Sequence, residues 1–278
     1  MNIGLIIIGD EILSGKRSDK HLPKVIELLA ARGLSLAWAR YVGDDPQRIT
    51  ADLQAAFAAA AEGDLVFSCG GIGATPDDHT RQCAGQALGR PLVLHPEARD
   101  HIVQRMRDVA AEQGQVFDPD RADNQHRLNM GMFPEGADII PNPYNRIAGF
   151  SHRWPAPQPG QASGGVYFVP GFPVMAWPMI EWVLDTHYRE QHRAQGQREQ
   201  SVIVMGAMEA SLTPLMESVE ARFPGIKVFS LPSVDHPQWG RHIELGVKGE
   251  APLLDPAYLA LLEGLRLHGA ELGPELVR

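Results

Sequence analysis

Asp64-Leu65-Val66-Phe67-Ser68-Cys69-Gly70-Gly71-Ile72-Gly73-Ala74-Thr75-Pro76-Asp77-Asp78 is the stretch on which the fold of this chain turns. Five nearly apolar residues, too few for a helix, run into a turn of glycine, proline and aspartate, and a helix is predicted to begin near Asp78. A strand without polar alternation reads as covered on both faces, which is the condition of a central parallel strand. Upstream, Ile3 to Ile8 repeats the pattern and passes into Gly9-Asp10-Glu11. Between the two, Leu22, Val25, Ile26, Leu28 and Leu29 fall at helical spacing within His21 to Arg32, and Gly33 is placed to end that helix. A strand over about Ser35 to Val42 follows, then a helix with Asp45 as cap and Pro46 at its first position, running to Gly63. The order β-α-β-α-β predicts an α/β fold with a doubly wound, mostly parallel sheet in a three-layer αβα arrangement.

Downstream, periodicity predicts a helix over about Glu97 to Gln113, strands near Asp138 to Ile140 and Gly165 to Val169, and a helix from Pro173 to Arg189. Trp154 to Gly165, rich in proline, glycine and glutamine, reads as an exposed loop. Arg189 to Gln200 is almost wholly polar and reads as a linker or a fraying helix end, dividing a domain of residues 1–190 from one of residues 200–278. The second is predicted to be a small α+β module: a strand (Ser201 to Met205), a helix (about Ser211 to Phe223), strands at Ile226 to Ser230 and Arg241 to Val247, and a helix after Asp255.

The 278 residues carry 34 acids against 25 bases, a net charge of −9, so the overall field opposes nonspecific binding of nucleic acid or of anionic lipid. An anionic ligand has to be held by local geometry. Cys69 and Cys83 form no CxxC pair and no disulfide framework, which fits a reducing, cytoplasmic setting. No segment approaches the roughly 18 apolar residues of a membrane span, and the N-terminus lacks the basic start and cleavage site of a signal peptide. Neither a P-loop, a G-x-S-x-G elbow nor an H-E-x-x-H pair occurs.

In an open parallel sheet, ligands sit beyond the carboxyl ends of the strands. Three polar clusters are placed there: Gly9-Asp10-Glu11 to Lys16, Val42-Gly43-Asp44-Asp45, and the turn from Gly70 to Asp78. Gly70, Gly71 and Gly73 would let main-chain N–H groups approach a phosphate, with Thr75 adding a hydroxyl; a bare tight turn is the alternative. Asp77 and Asp78 are either helix caps or, joined by Asp10, Glu11, Asp44 or Asp45, ligands of a divalent cation. Lys16 is either a phosphate partner or a solvated loop lysine, and Cys69 either a reactive thiol or a small buried residue. Of the histidines, His21 and His79 fall near this region.

Five segments in this order resemble the molybdopterin-binding-domain family, with its MoaB/MogA-like fold, in its CinA-like branch: Gly9 to Gly15, Val42-Gly43-Asp44-Asp45, Gly70 to Thr80, Asn142-Pro143 and Pro170-Gly171-Phe172-Pro173. The resemblance covers residues 1 to about 188, and 201 to 270 is similar to the small second domain of CinA proteins. It does not extend to their C-terminal nicotinamide-nucleotide deamidase domain, which has no counterpart in this sequence. The resemblance implies a site for a phosphorylated pterin or nucleotide, with Gly9, Glu11, Gly70, Gly71, Gly73, Thr75, Thr80, Asn142, Pro170 and Gly171 as ligand-binding residues. It implies Asp10, Asp44 and Asp78 as catalytic residues, and Asp77 and Asp78 as ligands of Mg, Mn or Co. Molybdopterin as ligand, a role in molybdenum cofactor biosynthesis and homo-oligomeric assembly follow from the same likeness. So do two enzymatic alternatives, a metal-dependent pyrophosphatase (a hydrolase of ADP-ribose or a related dinucleotide) and a nucleotidyl transferase of the molybdopterin type. The sequence departs from the family's pattern at Met130, where a Gln is usual, at Asn145, where a Gly is usual, and at Met175, where an acid is usual. These departures bear on cleavage more than on binding.

Overall fold

Alternate residues of the first strand, β1 (Ile3–Ile8), enter two different cores. Ile3, Leu5 and Ile7 join Val25, Leu28 and Leu29 of one helix, whereas Ile6 and Ile8 join Ile49, Leu53 and Phe57 of another. Two-sided burial is why the strand is apolar throughout. These relationships come from a computed structural model, which describes residues 1–192 and 198–277. The chain divides into two units, Met1–His192 and Arg193–Arg278.

In the first unit β1 is followed by a short turn of helix, α1 (Asp10–Leu13), then α2 (His21–Ala30), β2 (Trp38–Val42), α3 (Pro46–Ala61), β3 (Leu65–Cys69) and α4 (Thr80–Leu88). Asp45 Oδ1 accepts from the Arg48 N–H at 2.9 Å and Pro46 stands at the first turn of α3, as the sequence predicts. Next come β4 (Leu92–Leu94), α5 (Pro96–Glu112), α6 (Ala122–Arg127), β5 (Met132–Pro134), β6 (Asp138–Ile140), β7 (Gly149–Trp154), β8 (Gly164–Val169) and α7 (Pro173–His187). The main sheet has the order β2-β1-β3-β8-β7-β6. Its first four strands are parallel, and β7 and β6 add on antiparallel. With α2 and α7 packed on one face and α3 and α4 on the other, this is the α/β architecture expected.

Three strands of this unit escape the sequence reading. β7 (Gly-Phe-Ser-His-Arg-Trp) buries Ser151 and His152 beside Phe150, so it shows neither an apolar run nor an alternation. It is held by aromatic stacking instead: Phe150 lies 4.3 Å from Phe168 of β8 and 4.8 Å from Phe133 of β5, centroid to centroid. Such pairs contribute about 0.5–1.5 kcal/mol each beyond their buried area. β4 and β5, three residues each, pair only with one another.

The second unit contains β9 (Arg198–Met205), α8 (Glu209–Arg222), β10 (Lys227–His236), β11 (Gly240–Gly249), α9 (Ala251–Leu267) and β12 (Glu271–Val277). Its antiparallel sheet, ordered β10-β11-β9-β12, carries α8 and α9 against Val202, Val204, Leu245 and Val247. β12 is a further strand that the sequence reading does not supply. Of the polar stretch read as a linker or fraying helix end, Arg189–Gln191 forms a 3-10 turn and Arg198 opens β9, while 193–197 lie outside the described residues. No helix among the described residues is long and apolar enough to cross a membrane.

Candidate functional site

The carboxyl ends of β1, β2, β3 and β8 converge because each main chain leaves its strand through a hydrogen bond to its neighbour. The Gly9 N–H donates to the Val42 carbonyl and the Gly70 N–H to the Val169 carbonyl, both at 3.0 Å. Between these exits lies a cavity of about 430 Å³. Gly9, Glu11, Asp44, Gly70, Gly71, Gly73, Thr75, Asp77, Asp78, Asn142, Pro170 and Gly171, all named from the sequence, line it.

The glycine turn forms one wall. Gly70 and Gly71 have φ of +106° and +67°, a region that L side chains rarely adopt, and a Cβ on Gly71 would meet Thr80 Oγ1. Asp78 closes the turn on itself. Its Oδ1 accepts from the Gly73 N–H at 2.8 Å, and its Oδ2 accepts from the Thr75 N–H at 2.8 Å and the Thr75 hydroxyl at 2.5 Å. The amides of Gly71, Ile72 and Ala74 find no acceptor among the described residues. Unpaired N–H groups in a tight turn are the material from which anion-binding concavities are built.

Two of the sequence-named residues stand apart from the lining. Thr80 is fully buried; its hydroxyl donates to the Gly70 carbonyl at 3.0 Å and its N–H to the Gly71 carbonyl at 3.0 Å, so it braces the turn from beneath. Asp10 is exposed and trades hydrogen bonds with Asp44. Neither aspartate after the turn is a helix cap: α4 starts at Thr80, with His79 as its N-cap residue and no side-chain cap bond. Cys69 is buried and burial pushes its thiol far up, which suits the inert reading. His21 is buried too, and its Nε2 donates to the Gly171 carbonyl at 3.0 Å, pinning the Pro170-Gly171 edge to α2.

Arg17 is the residue that the sequence reading missed. Its neighbour Lys16, the cation that the sequence offers, is off the lining, whereas Arg17 lines the cavity and is the one cationic side chain among the lining residues. The Arg17 N–H donates to the Glu11 carbonyl at 2.9 Å, which turns the loop after α1 back towards the site. Opposite the glycines, Met130, Ile147, Phe172 and Met175 give the cavity an apolar wall. Asn145 Oδ1 accepts from Asn142 Nδ2 at 2.8 Å and from the Ile147 N–H at 3.0 Å, holding that wall in shape.

A preformed cation cage does not fit these acids. Both oxygens of Asp78 are occupied by the turn, Asp44 Oδ2 accepts from the Asp10 N–H, and among the described residues no three His, Cys, Asp or Glu side chains gather into an all-protein metal cage. Burial, then the neighbouring Asp10, Glu11 and Asp77 charges, hold the Asp44 carboxyl above its ordinary value.

The family model described as "Probable molybdopterin binding domain" matches residues 4–189. The chain belongs to the molybdopterin-binding-domain family. Within it the likeness is to CinA-like proteins. That of Mycobacterium marinum is 29% identical over 225 residues, covering 80% of this chain and 50% of its own length. That of Citrifermentans bemidjiense is 30% identical over 219 residues, covering 78% and 47%. The chain thus spans about half the length of the curated relatives it matches. Among solved structures, the CinA protein of unknown function from Thermoplasma acidophilum superposes with a TM-score of 0.52 at 23% identity, over 66% of this chain and 98% of that one. This molybdopterin-binding-domain member therefore shares the fold of that protein, with the strand-end cavity inside the matched residues.

Proposed function

We propose that the strand-end cavity binds a phosphorylated pterin or a nucleotide, phosphate against the glycine turn and ring against the apolar wall. The observation that carries this is that Gly71, Ile72 and Ala74, whose amides have no acceptor among the described residues, line a cavity whose one cationic side chain is Arg17. Main-chain N–H groups and a single guanidinium suit a small anion in a protein of net charge −9. Met130, Ile147, Phe172 and Met175 offer a planar ring thioether and aromatic surface without a charge to neutralise. Molybdopterin is the ligand of this class that we put first, with a role in molybdenum cofactor biosynthesis as part of the same proposal. Calorimetry with molybdopterin, AMP and ADP-ribose tests the reading: saturable binding that Gly71→Val abolishes supports it, and identical heats for wild type and variant sink it.

Cleavage of a pyrophosphate is the second reading, favoured by Glu11, Asp44 and Asp77 on the same cavity. Incubation with ADP-ribose, FAD and dinucleotide polyphosphates in Mg²⁺, Mn²⁺ or Co²⁺ decides it, since turnover no greater than that of an Asp44→Asn control leaves binding alone. Self-association of the chain is a separate expectation, which sedimentation of the purified protein measures.

A further inference from the structure

Ala74, Thr75 and Asp78 line not one cavity but two. The second, about 480 Å³, is lined further by Arg81, Gln82, His126 and Asn129 and by the apolar Pro76, Leu92 and Met132, and it meets the turn without using the glycines.

Arg81 is the reason to look there. Its side chain comes from the first turn of α4 and is 3% exposed. One Nη1 N–H donates to the Ile72 carbonyl, while the buried Nε has no partner. No carboxylate reaches ion-pair distance of it among the described residues. The acid that acts on it, Asp78, has both oxygens committed to Gly73 and Thr75. Burial lowers the guanidinium's proton affinity, yet arginine stays charged. Asp78 offsets this charge only from beyond ion-pair distance, and a buried charge so weakly paired is costly, so an anion in the adjoining cavity would add to its stabilisation.

The other wall is arranged for the same task. A carbonyl only accepts, so His126 Nε2 donates to the Ala74 oxygen at 2.9 Å, leaving Nδ1 to accept from Asn129 Nδ2 at 3.4 Å. The Ala74 bond fixes the far side of the cavity to the glycine turn itself.

We infer that the second cavity is an anion site, taking a free phosphate-sized oxyanion against Arg81, distinct from whatever the first cavity holds. An anion there is in contact with the Ala74–Asp78 segment and stiffens the turn that walls the first cavity.

The test is a titration of the full chain with inorganic phosphate at low ionic strength, followed by the ¹⁵N–¹H resonance of Arg81 Nε and the ring resonances of His126. Gln82 is exposed on the cavity wall and its side-chain nitrogen donates to the Asp78 and His79 carbonyls at 3.2 Å, so thermal melts of each Gln82 variant accompany the titration to show that the turn is kept while the charge is changed. The expected result is a saturable shift of both resonances, about tenfold weaker in Gln82→Glu and stronger in Gln82→Arg, with Arg17→Ala leaving it within about twofold. Absence of a saturable shift overturns the inference. So does a shift that ignores the Gln82 variants, or one that disappears with Arg17→Ala, because phosphate is then going to the first cavity alone. A wild-type shift at Arg81 in a Gly71→Val protein that no longer binds nucleotide separates the two sites, whichever reading of the first is right.

Discussion

Asp10 and Asp44 each accept the other's main-chain amide: the Asp10 N–H donates to Asp44 Oδ2 at 2.9 Å, and the Asp44 N–H to Asp10 Oδ1 at 3.1 Å. The exchange ties the exits of β1 and β2 together and forces two carboxylates into one corner of the site. Asp44 holds its proton more tightly in the folded state than at the ordinary value of 3.8. A raised carboxyl value means that the native state binds more protons there, so this group's contribution to stability falls as pH rises from 3.8 through the folded value. The expected outcome is that Asp44→Asn gains on wild type between about pH 3 and about pH 7. Thermal melts across that range check it, and a constant gap between the two proteins contradicts it.

His152 behaves in the opposite sense. Burial, aided by the Arg90 charge, pulls its ring down to about 4 from 6.5, and its Nε2 is buried without a partner. The unfolded chain then binds the proton that the folded one refuses, so stability present above 6.5 is lost as pH falls towards 4. The loss is at most about 3 kcal/mol, less where water reaches the ring. Denaturant unfolding of wild type and His152→Gln should show a shallower acid limb in the variant, whatever it costs at neutral pH.

Arg17 is exposed and makes no ion pair among the described residues, so its removal should leave the fold alone. Arg17→Ala is expected to weaken the phosphorylated ligand of the first cavity by about tenfold, the loss of one charge-assisted contact of about 1.5 kcal/mol, with an unchanged melting temperature. The same variant should flatten the salt dependence of binding. Lys16→Ala, beside it but off the lining, serves as the comparison and should do neither.

Gly70 and Gly71 differ in what a side chain would strike. At Gly70 the obstacle is the Ile8 carbonyl, fixed within the sheet, and at Gly71 it is the Thr80 hydroxyl. Positive φ alone costs a non-glycine residue about 1–3 kcal/mol. Gly70→Ala is therefore expected to destabilise more than Gly71→Ala in urea unfolding, whereas both abolish ligand binding. Equal costs would mean that β1 yields as easily as one hydroxyl.

The sequence makes the parallel half of the fold legible because β1 and β3 are buried on both faces and have to be apolar, and because Asp45-Pro46 announces α3. It hides β7, whose inward side chains include Ser151 and His152 and whose place is set by Phe133 and Phe168 from distant strands. The same contrast holds within the site. Gly70 and Gly71 are visible because their backbone geometry demands glycine. Arg17 is invisible because a single Glu11 carbonyl bond, a matter of loop path, decides that it and not Lys16 faces the cavity. Asp78 is visible as an acid after the turn, but its occupation by three donors within that turn depends on loop geometry that spacing does not carry.

The Ala74–Asp78 segment fronts two cavities at once. At the shared positions neither side is tuned alone: a replacement at Thr75 that suits one occupant is simultaneously a replacement in the other chamber, whereas Asp77 belongs to the first alone and Pro76 to the second. Change in ligand preference is expected to enter by the outer walls instead, at positions such as Met130 and Met175 or Gln82 and Asn129, each of which belongs to a single chamber.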